Sequence, residues 1–379
     1  MAYQFMGRLR ELCPNTPLIY DTVDISYLRA RREHELRRIL EDDTSPNIDE
    51  VRRKRSENIK KLEKIDMFVM SKSSLIFVVS TFEFNLMKKK LKNRKNITLL
   101  SNIYPAGQLK DISLSEFESR KSILFVGNMC HPPNVDAVEF ILSEILPKIN
   151  EDDRLNFTMN IVMSNLKTCP RNNTLALATK FQNVVIHRDV SNFELNRLYQ
   201  LATVFLCPLR VGAGVKGKIN QALYNGVPVI GGDVAVEGMR LVSDESVLMA
   251  ETADEYCKGV YRLMTNFTLW NVIRRAGILA NNKYFSREIA LQTLNSSLIH
   301  LNVIPKHRHM VSDPSKLMSC RIFDKLAPGS SSNESSSLMI GKCLKKTHPF
   351  FIMSDILFNE KYLKADNENI MFPRVVSGS

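Results

Sequence analysis

Between Pro208 and Ile230 the chain reads PLRVGAGVKGKINQALYNGVPVI. Three glycines (Gly212, Gly214, Gly217) stand among three cations (Arg210, Lys216, Lys218). Glycine allows tight turning and a close approach of backbone to a ligand. A helix starting near Lys216 presents free backbone N–H groups and the positive end of its dipole to whatever lies before it. Full positive charges at the same place make this the equipment for holding a phosphate or a diphosphate. The spacing is not that of the common phosphate loops. Ile219 follows Lys218, so there is no G-x-x-x-x-G-K-[ST], and no G-x-G-x-x-G directly follows the preceding strand. On spacing alone a structural loop fits as well as an anion site. Two lysines beside three glycines favour the anion site.

Other residue types with chemistry carry weaker signals. His131 and His187 stand without a visible partner in sequence, the usual sign of a structural histidine, and no acid–base role is assigned to either. Seven scattered cysteines form no C-x-x-C pair, so neither a disulfide framework nor a zinc site is expected, and reduced thiols in a cytosol-like compartment fit. No catalytic base can be named. The net charge of +12 sits mostly outside residues 121–304. Basic clusters occur at Arg29, Arg31, Arg32, Arg37 and Arg38, at Arg52–Arg55, and from Lys88 to Lys95. They lack interleaved aromatics for base stacking. Glu33, Glu35, Glu57 and Glu63 lie among them, which reads as solvated, ion-paired helices. Nucleic acid is therefore not the expected partner.

The elements that position the loop follow from periodicity. Buried strands are expected at 17–25, 75–79 and 97–100, separated by basic helices over 27–40 and 49–67 and a helix over 81–91. After a linker at 106–120, a second run begins with strand 122–126, which meets Gly127 and leads to a helix over 134–149. Strands at 157–163, 184–187, 203–207, 227–230 and 246–250 alternate with helices at 193–202, 216–225, 253–265 and 267–282, with more helix to about 301. Such alternation predicts a parallel sheet covered on both faces, with ligands at the carboxyl ends of its strands. The tail from Pro305 carries SSSNESSS and little periodicity, so low order is expected there. No run of about 18 apolar residues is present to span a bilayer.

The segment LRVGAGVKGKINQALYNGVPVI resembles the donor-site segment of bacterial-type family 4 (group 1) glycosyltransferases. FVGNMCHPPNVDAVEFILSEILPKI (125–149) is similar to the opening of the same domain, and YDTVDISYLRARRE (20–33) and the stretch ending VVSTFE (78–83) to the late part of the preceding acceptor domain. The likeness runs in order from about Met1 to Leu301. It implies an α/β chain of GT-B type: a partial acceptor-side Rossmann-like domain (1–105), the linker (106–120), a complete nucleotide-sugar-binding Rossmann-like domain (121–304), and a poorly ordered tail (305–379). It also implies a retaining hexosyltransferase using a nucleotide-diphosphate sugar bound between the two domains. The acceptor would be a glycan, lipid or small molecule, with no cofactor and no metal, in the cytoplasm and with peripheral membrane contact open. By position, Arg210 and Lys216 or Lys218 would neutralise the donor diphosphate. Gly127, Gly212, Gly214, Gln221 and Glu237 would line the same donor site. Each also has a plain reading: a solvated lysine, a permissive turn glycine, a turn-capping glutamate.

Two departures from the family bear on activity. Gln221 stands where the family usually has a glutamate that accepts from the ribose hydroxyls, and Ala213 where a second glutamate is common. A neutral amide accepts more weakly than a carboxylate. Only about 16 residues precede the PLIYDTVD strand, and Ser26 replaces a family histidine, so the acceptor half is expected to be incomplete. An inactive nucleotide-sugar binder, or a partner of another glycosyltransferase, is the alternative.

Overall fold

The computed structural model describes residues 14–40, 47–92, 96–151 and 155–301, parts of the first thirteen residues, and the backbone of 351–354. In chain order the first elements are β1 (Leu18–Asp21), α1 (Ser26–Leu40), α2 (Ile48–Lys72), β2 (Leu75–Val78), α3 (Thr81–Lys90), β3 (Ile97–Leu99) and α4 (Leu114–Ser119). Then come β4 (Ser122–Asn128), α5 (Pro132–Phe140), a π-turn (Ile141–Ile145), α6 (Leu146–Asn150), β5 (Thr158–Ser164), α7 (Asn172–Ala178), β6 (Val184–Arg188) and α8 (Asn192–Leu201). The series continues with β7 (Val204–Cys207), α9 (Gly217–Tyr224), β8 (Val229–Gly231), α10 (Asp233–Val236) and β9 (Leu248–Met249). It closes with α11 (Ala253–Thr265), α12 (Phe267–Phe285), α13 (Arg287–His300) and β10 (Phe351–Ser354).

The chain divides into two compact units. Of the described residues, unit 1 holds those up to Ala30, Asn47–Ser101, 288–301 and 351–354; unit 2 holds 31–40 and Asn102–Arg287. The six strands of unit 2 are all parallel, in the order β6-β5-β4-β7-β8-β9. Counted within the unit this is 3-2-1-4-5-6, the dinucleotide-binding order. Its direction of winding reverses between β4 and β7, the kind of switch point at whose strand carboxyl ends α/β sheets bind ligands. β4 and β7 are buried along their whole length, as expected of strands covered by helices on both faces. Trp270 of α12 is fully buried and donates its indole N–H to the Thr203 carbonyl (2.8 Å).

The 106–120 segment is not a free linker. It carries α4, opened by a Ser113–Glu116 capping box, and Phe117 packs 5.2 Å from the Trp270 ring. Gly107 exchanges two hydrogen bonds with the Asn282 side chain.

Unit 1 has four parallel strands in the order β10-β1-β2-β3. Two expected boundaries change here. The donor-side domain ends at Arg287 rather than 304, because Leu294 and Leu298 of α13 join the core of Ile19, Leu75 and Phe77. Within the tail expected to be of low order, β10 extends the unit 1 sheet by pairing with β1. The rest of the tail lies outside the described residues. Buried carboxylates cap the start of α1 in this unit. Asp66 accepts from the Tyr27 amide (3.1 Å) and Glu83 from the Ile25 amide (3.3 Å), both at the entry of α1. Ser80 accepts from the Glu83 amide at the start of α3. Among the described residues, no helix is long and apolar enough to cross a membrane.

Candidate functional site

β7 ends at Cys207, beside the carboxyl end of β4, and the glycine-rich loop follows it into α9. This places the loop at the switch point. The N-cap position of α9 is Lys216, with an extended backbone and no side-chain cap. Among the described residues, no acceptor takes the backbone N–H of Ala213, Gly214, Val215, Gly217 or Lys218. Gly214, Val215 and Gly217 are buried. Buried amides are almost always paired, so a run of bare ones at a helix start marks a seat for an acceptor, and the helix dipole selects an anion. Gly214 lies at φ +67°, in the left-handed region that glycine adopts without strain.

Two predicted cations converge on this seat. The buried Lys216 turns back and donates to the Gly214 carbonyl (2.8 Å). Lys218 donates to the Asn134 side-chain oxygen, and its ammonium lies 4.8 Å over the Phe125 ring. Burial pushes the Lys218 ammonium down to about 8, and the charge of Lys216 adds to the shift. Both lysines act on Cys207, whose thiol burial nevertheless raises to about 11, so it stays neutral.

Arg210 departs from expectation. Its guanidinium binds the buried Asp136 carboxylate through Nε (3.0 Å) and Nη2, and it lies over the Phe140 ring. Asn134 and Asp136 are two positions apart on α5, so they face different ways. The start of α5 therefore holds Lys218 on one side and Arg210 on another, and Arg210 is not gathered with the lysines.

The other predicted residues fall as follows. Gly127 ends β4 under α5; a Cβ there would come within 3.0 Å of Asn134 Cβ and 2.9 Å of Phe125 Cε1. The glycine thus lets α5 approach closely enough for Asn134 to reach both the Asn128 carbonyl (2.9 Å) and Lys218. Gly212 turns the loop above Lys216. Gln221 lies one turn into α9, and its side chain has no hydrogen-bond partner among the described residues. Glu237 follows α10 and receives two hydrogen bonds from Arg32 (2.8 and 2.6 Å). His187 pairs with Asn160 across β5 and β6 (2.8 Å), a structural contact.

Several parts of the site were not found from the sequence. Asn134 and Asp136 sit in a PPNVD stretch read only as a helix start. Asn102 donates to the Val215 carbonyl and Asn220, Asn220 donates to Asn281, and Tyr104 donates to the Gly217 carbonyl (2.8 Å). This network braces the loop from behind. Cys130 and Cys169 form a disulfide, which corrects the expectation of reduced thiols throughout. They follow β4 and β5, and adjacent parallel strands bring their loops to one sheet edge despite a separation of 39 residues. An apolar cavity of about 260 Å³ lies between α7 and β6, and a second of about 460 Å³, lined by Glu57, Lys60, Lys61 and Lys64, lies against α2; neither is lined by a loop residue.

The family model for Glycosyl transferases group 1 matches residues 120–266. No protein of curated function matches the sequence. Among solved structures, Anabaena HepE, determined with UDP-glucose, aligns with a TM-score of 0.57 at 10% identity, over 79% of this chain and 77% of its own. Sucrose-phosphate synthase of Thermosynechococcus elongatus aligns with a TM-score of 0.54 at 13% identity, over 79% and 77%. Staphylococcus aureus TarM, determined with UDP in one structure, aligns with a TM-score of 0.51 at 13% identity. The alignment spans 62% of this chain but only 46% of TarM's length. At these identities the likeness establishes fold. The Rossmann-type segment that carries the glycine loop at its switch point is the one matched by the model for Glycosyl transferases group 1, and the fold is of the GT-B type.

Proposed function

We propose that unit 2 binds the diphosphate of a nucleotide-diphosphate sugar and that the chain is a hexosyltransferase, retaining and metal-independent. The observation that carries this is the set of amides of Ala213, Gly214, Val215, Gly217 and Lys218 that find no acceptor among the described residues, beside the Lys216 and Lys218 side chains at the switch point. As the glycosidic carbon–oxygen bond breaks, negative charge grows on the leaving diphosphate. Amides held in place by the loop stabilise it with little rearrangement, and the lysines add full positive charge beside them. Lys218 exchanges its Asn134 partner for a phosphate oxygen, and Lys216 keeps the loop folded while adding its charge. Arg210 is reassigned: held by Asp136, it braces α5 instead of gripping phosphate. Gln221 accepts from the ribose through a neutral amide. The acceptor is a hydroxyl of a glycan, a lipid or a small molecule, and peripheral membrane contact belongs to the same proposal. HepE, seen with UDP and UDP-glucose, makes uridine the first base to try.

The test is calorimetric titration with UDP and GDP. Binding of one of them is expected, and Lys218→Gln should weaken it by about tenfold to a hundredfold, the range for one hydrogen bond to a charged group. Absence of binding to either nucleotide at millimolar concentration would refute the proposal. A nucleotide-sugar binder without turnover is favoured by one feature, Gln221 in place of a carboxylate. Transfer from any labelled sugar nucleotide by the chain alone would exclude that second reading.

A further inference from the structure

Arg32 belongs to a run of arginines whose exposed members make ordinary surface pairs. Arg29 binds Asp24, and Arg31 approaches Glu35 one helical turn away. Arg32 is different. Its side chain is only 15% exposed and Glu237's only 16%. Nη1 and Nη2 reach the two oxygens of Glu237 at 2.8 and 2.6 Å, a fork-to-fork pair, and Nη1 also donates to the Gly212 carbonyl (2.5 Å). One guanidinium therefore joins the glycine loop to the turn at Glu237–Gly238, within unit 2.

The peptide plane gives this contact a consequence. In a trans peptide the carbonyl of one residue and the N–H of the next point in opposite directions. With the Gly212 carbonyl turned to Arg32, the Ala213 N–H is turned away from it. Lys216 does the same one step on: it takes the Gly214 carbonyl, and the Val215 N–H points away from Lys216. Alternate carbonyls of the loop are anchored by cations, and both alternate amides are among those with no acceptor among the described residues.

We infer that Arg32 is a positioning residue of the diphosphate seat, fixing the Glu237 carboxylate and, through the Gly212 carbonyl, the direction in which the loop amides face. This rests on the donor-site reading proposed above. It separates Arg32 from the surface arginines of the same helix and gives Glu237 a task, that of holding the arginine in place.

The full chain and its Arg32→Gln, Arg32→Lys, Glu237→Gln and Arg32→Gln/Glu237→Gln variants are titrated with UDP, UMP and inorganic pyrophosphate, with Tm recorded for each. Arg32→Gln is expected to weaken UDP and pyrophosphate by about tenfold and UMP much less, the size of one lost charge-assisted hydrogen bond. Arg32→Lys recovers part of the loss, since an ammonium cannot make the forked pair. The double variant is no worse than the weaker single one, the signature of a shared interaction. Equal binding by wild type and Arg32→Gln, an equal loss for UMP and UDP, or additive single losses would overturn the inference and leave the donor reading standing. Failure of the wild type to bind UDP and pyrophosphate would overturn both. If Arg32→Gln does not fold, Glu237→Gln decides: about a tenfold loss for pyrophosphate supports the inference, and none overturns it.

Discussion

Two helix starts, α1 in unit 1 and α9 in unit 2, are treated in opposite ways. In unit 1 the entry of α1 is closed by carboxylates, with Asp66 on the Tyr27 amide and Glu83 on the Ile25 amide, and α3 opens on the Ser80 hydroxyl. In unit 2 several helices are closed by side chains too: Thr252 and Glu255 form a capping box at α11, and Ser191 caps α8. The start of α9 alone combines an uncapped lysine at the N-cap with a run of amides that find no acceptor among the described residues. A carboxylate at a helix start satisfies the backbone permanently. A bare start flanked by cations leaves that satisfaction to a ligand. The same physics of exposed N–H groups builds a scaffold in one place and, in the function proposed above, an anion seat in the other.

If that difference decides function, converting one condition into the other should abolish binding while sparing the fold. Lys216→Asp places a carboxylate at the N-cap of α9, where the backbone is already extended. Nucleoside diphosphate affinity should fall by about a hundredfold or more, through the lost cation and the new repulsion. Thermal stability should change little, because the about 1 kcal/mol that an aspartate N-cap contributes offsets the lost Lys216–Gly214 hydrogen bond. Calorimetry beside a melting curve reads both; retained affinity would show that the bare helix start is not the seat.

Titration of Lys218 gives a graded form of the same difference. Its folded pKa of about 8 lies below the free lysine value of 10.5. Below pH 8 the ammonium is charged with or without ligand, so affinity is flat. Above pH 8 the unliganded lysine loses its proton, binding must restore it, and affinity should drop by up to about tenfold per pH unit. Protein stability changes with the opposite sign. Between pH 8 and 10.5 the unfolded chain binds more protons at this residue than the folded one, so the Lys218 contribution to stability rises with pH across that window. Lys218→Gln should remove both slopes, measured by titration and by chemical denaturation from pH 7 to 10.

The smallest effect belongs to unit 1. Glu83→Gln keeps an acceptor but loses the charge at a fully buried cap. A loss of roughly 1–2 kcal/mol in unfolding free energy is expected, with nucleotide affinity unchanged. A change in affinity would mean that unit 1 carboxylates also serve the seat.

Much of this arrangement was legible in the sequence. The glycines and lysines of 208–218 marked the loop by residue type, and the strand–helix alternation pointed to a parallel sheet whose strand ends carry it. What composition does not encode is where a long side chain turns. Arg210, Lys216 and Lys218 read as one cluster, yet Asp136 and Asn134 on α5 draw two of them to different sides. The pairing of Cys130 with Cys169 was invisible because it depends on which strands are neighbours.

The sequence by itself determined the local events: which segments bury both faces, which helix starts carry caps, and where glycine permits a turn. Only the tertiary structure decided the strand order that puts β4 beside β7, the return of α13 to the unit 1 core, and the reach of Arg32 from α1 to Glu237 and Gly212. The reason is physical. Propensity and periodicity act over a few residues, whereas the partner of a buried charge is set by which distant segment can neutralise it at the same point in space.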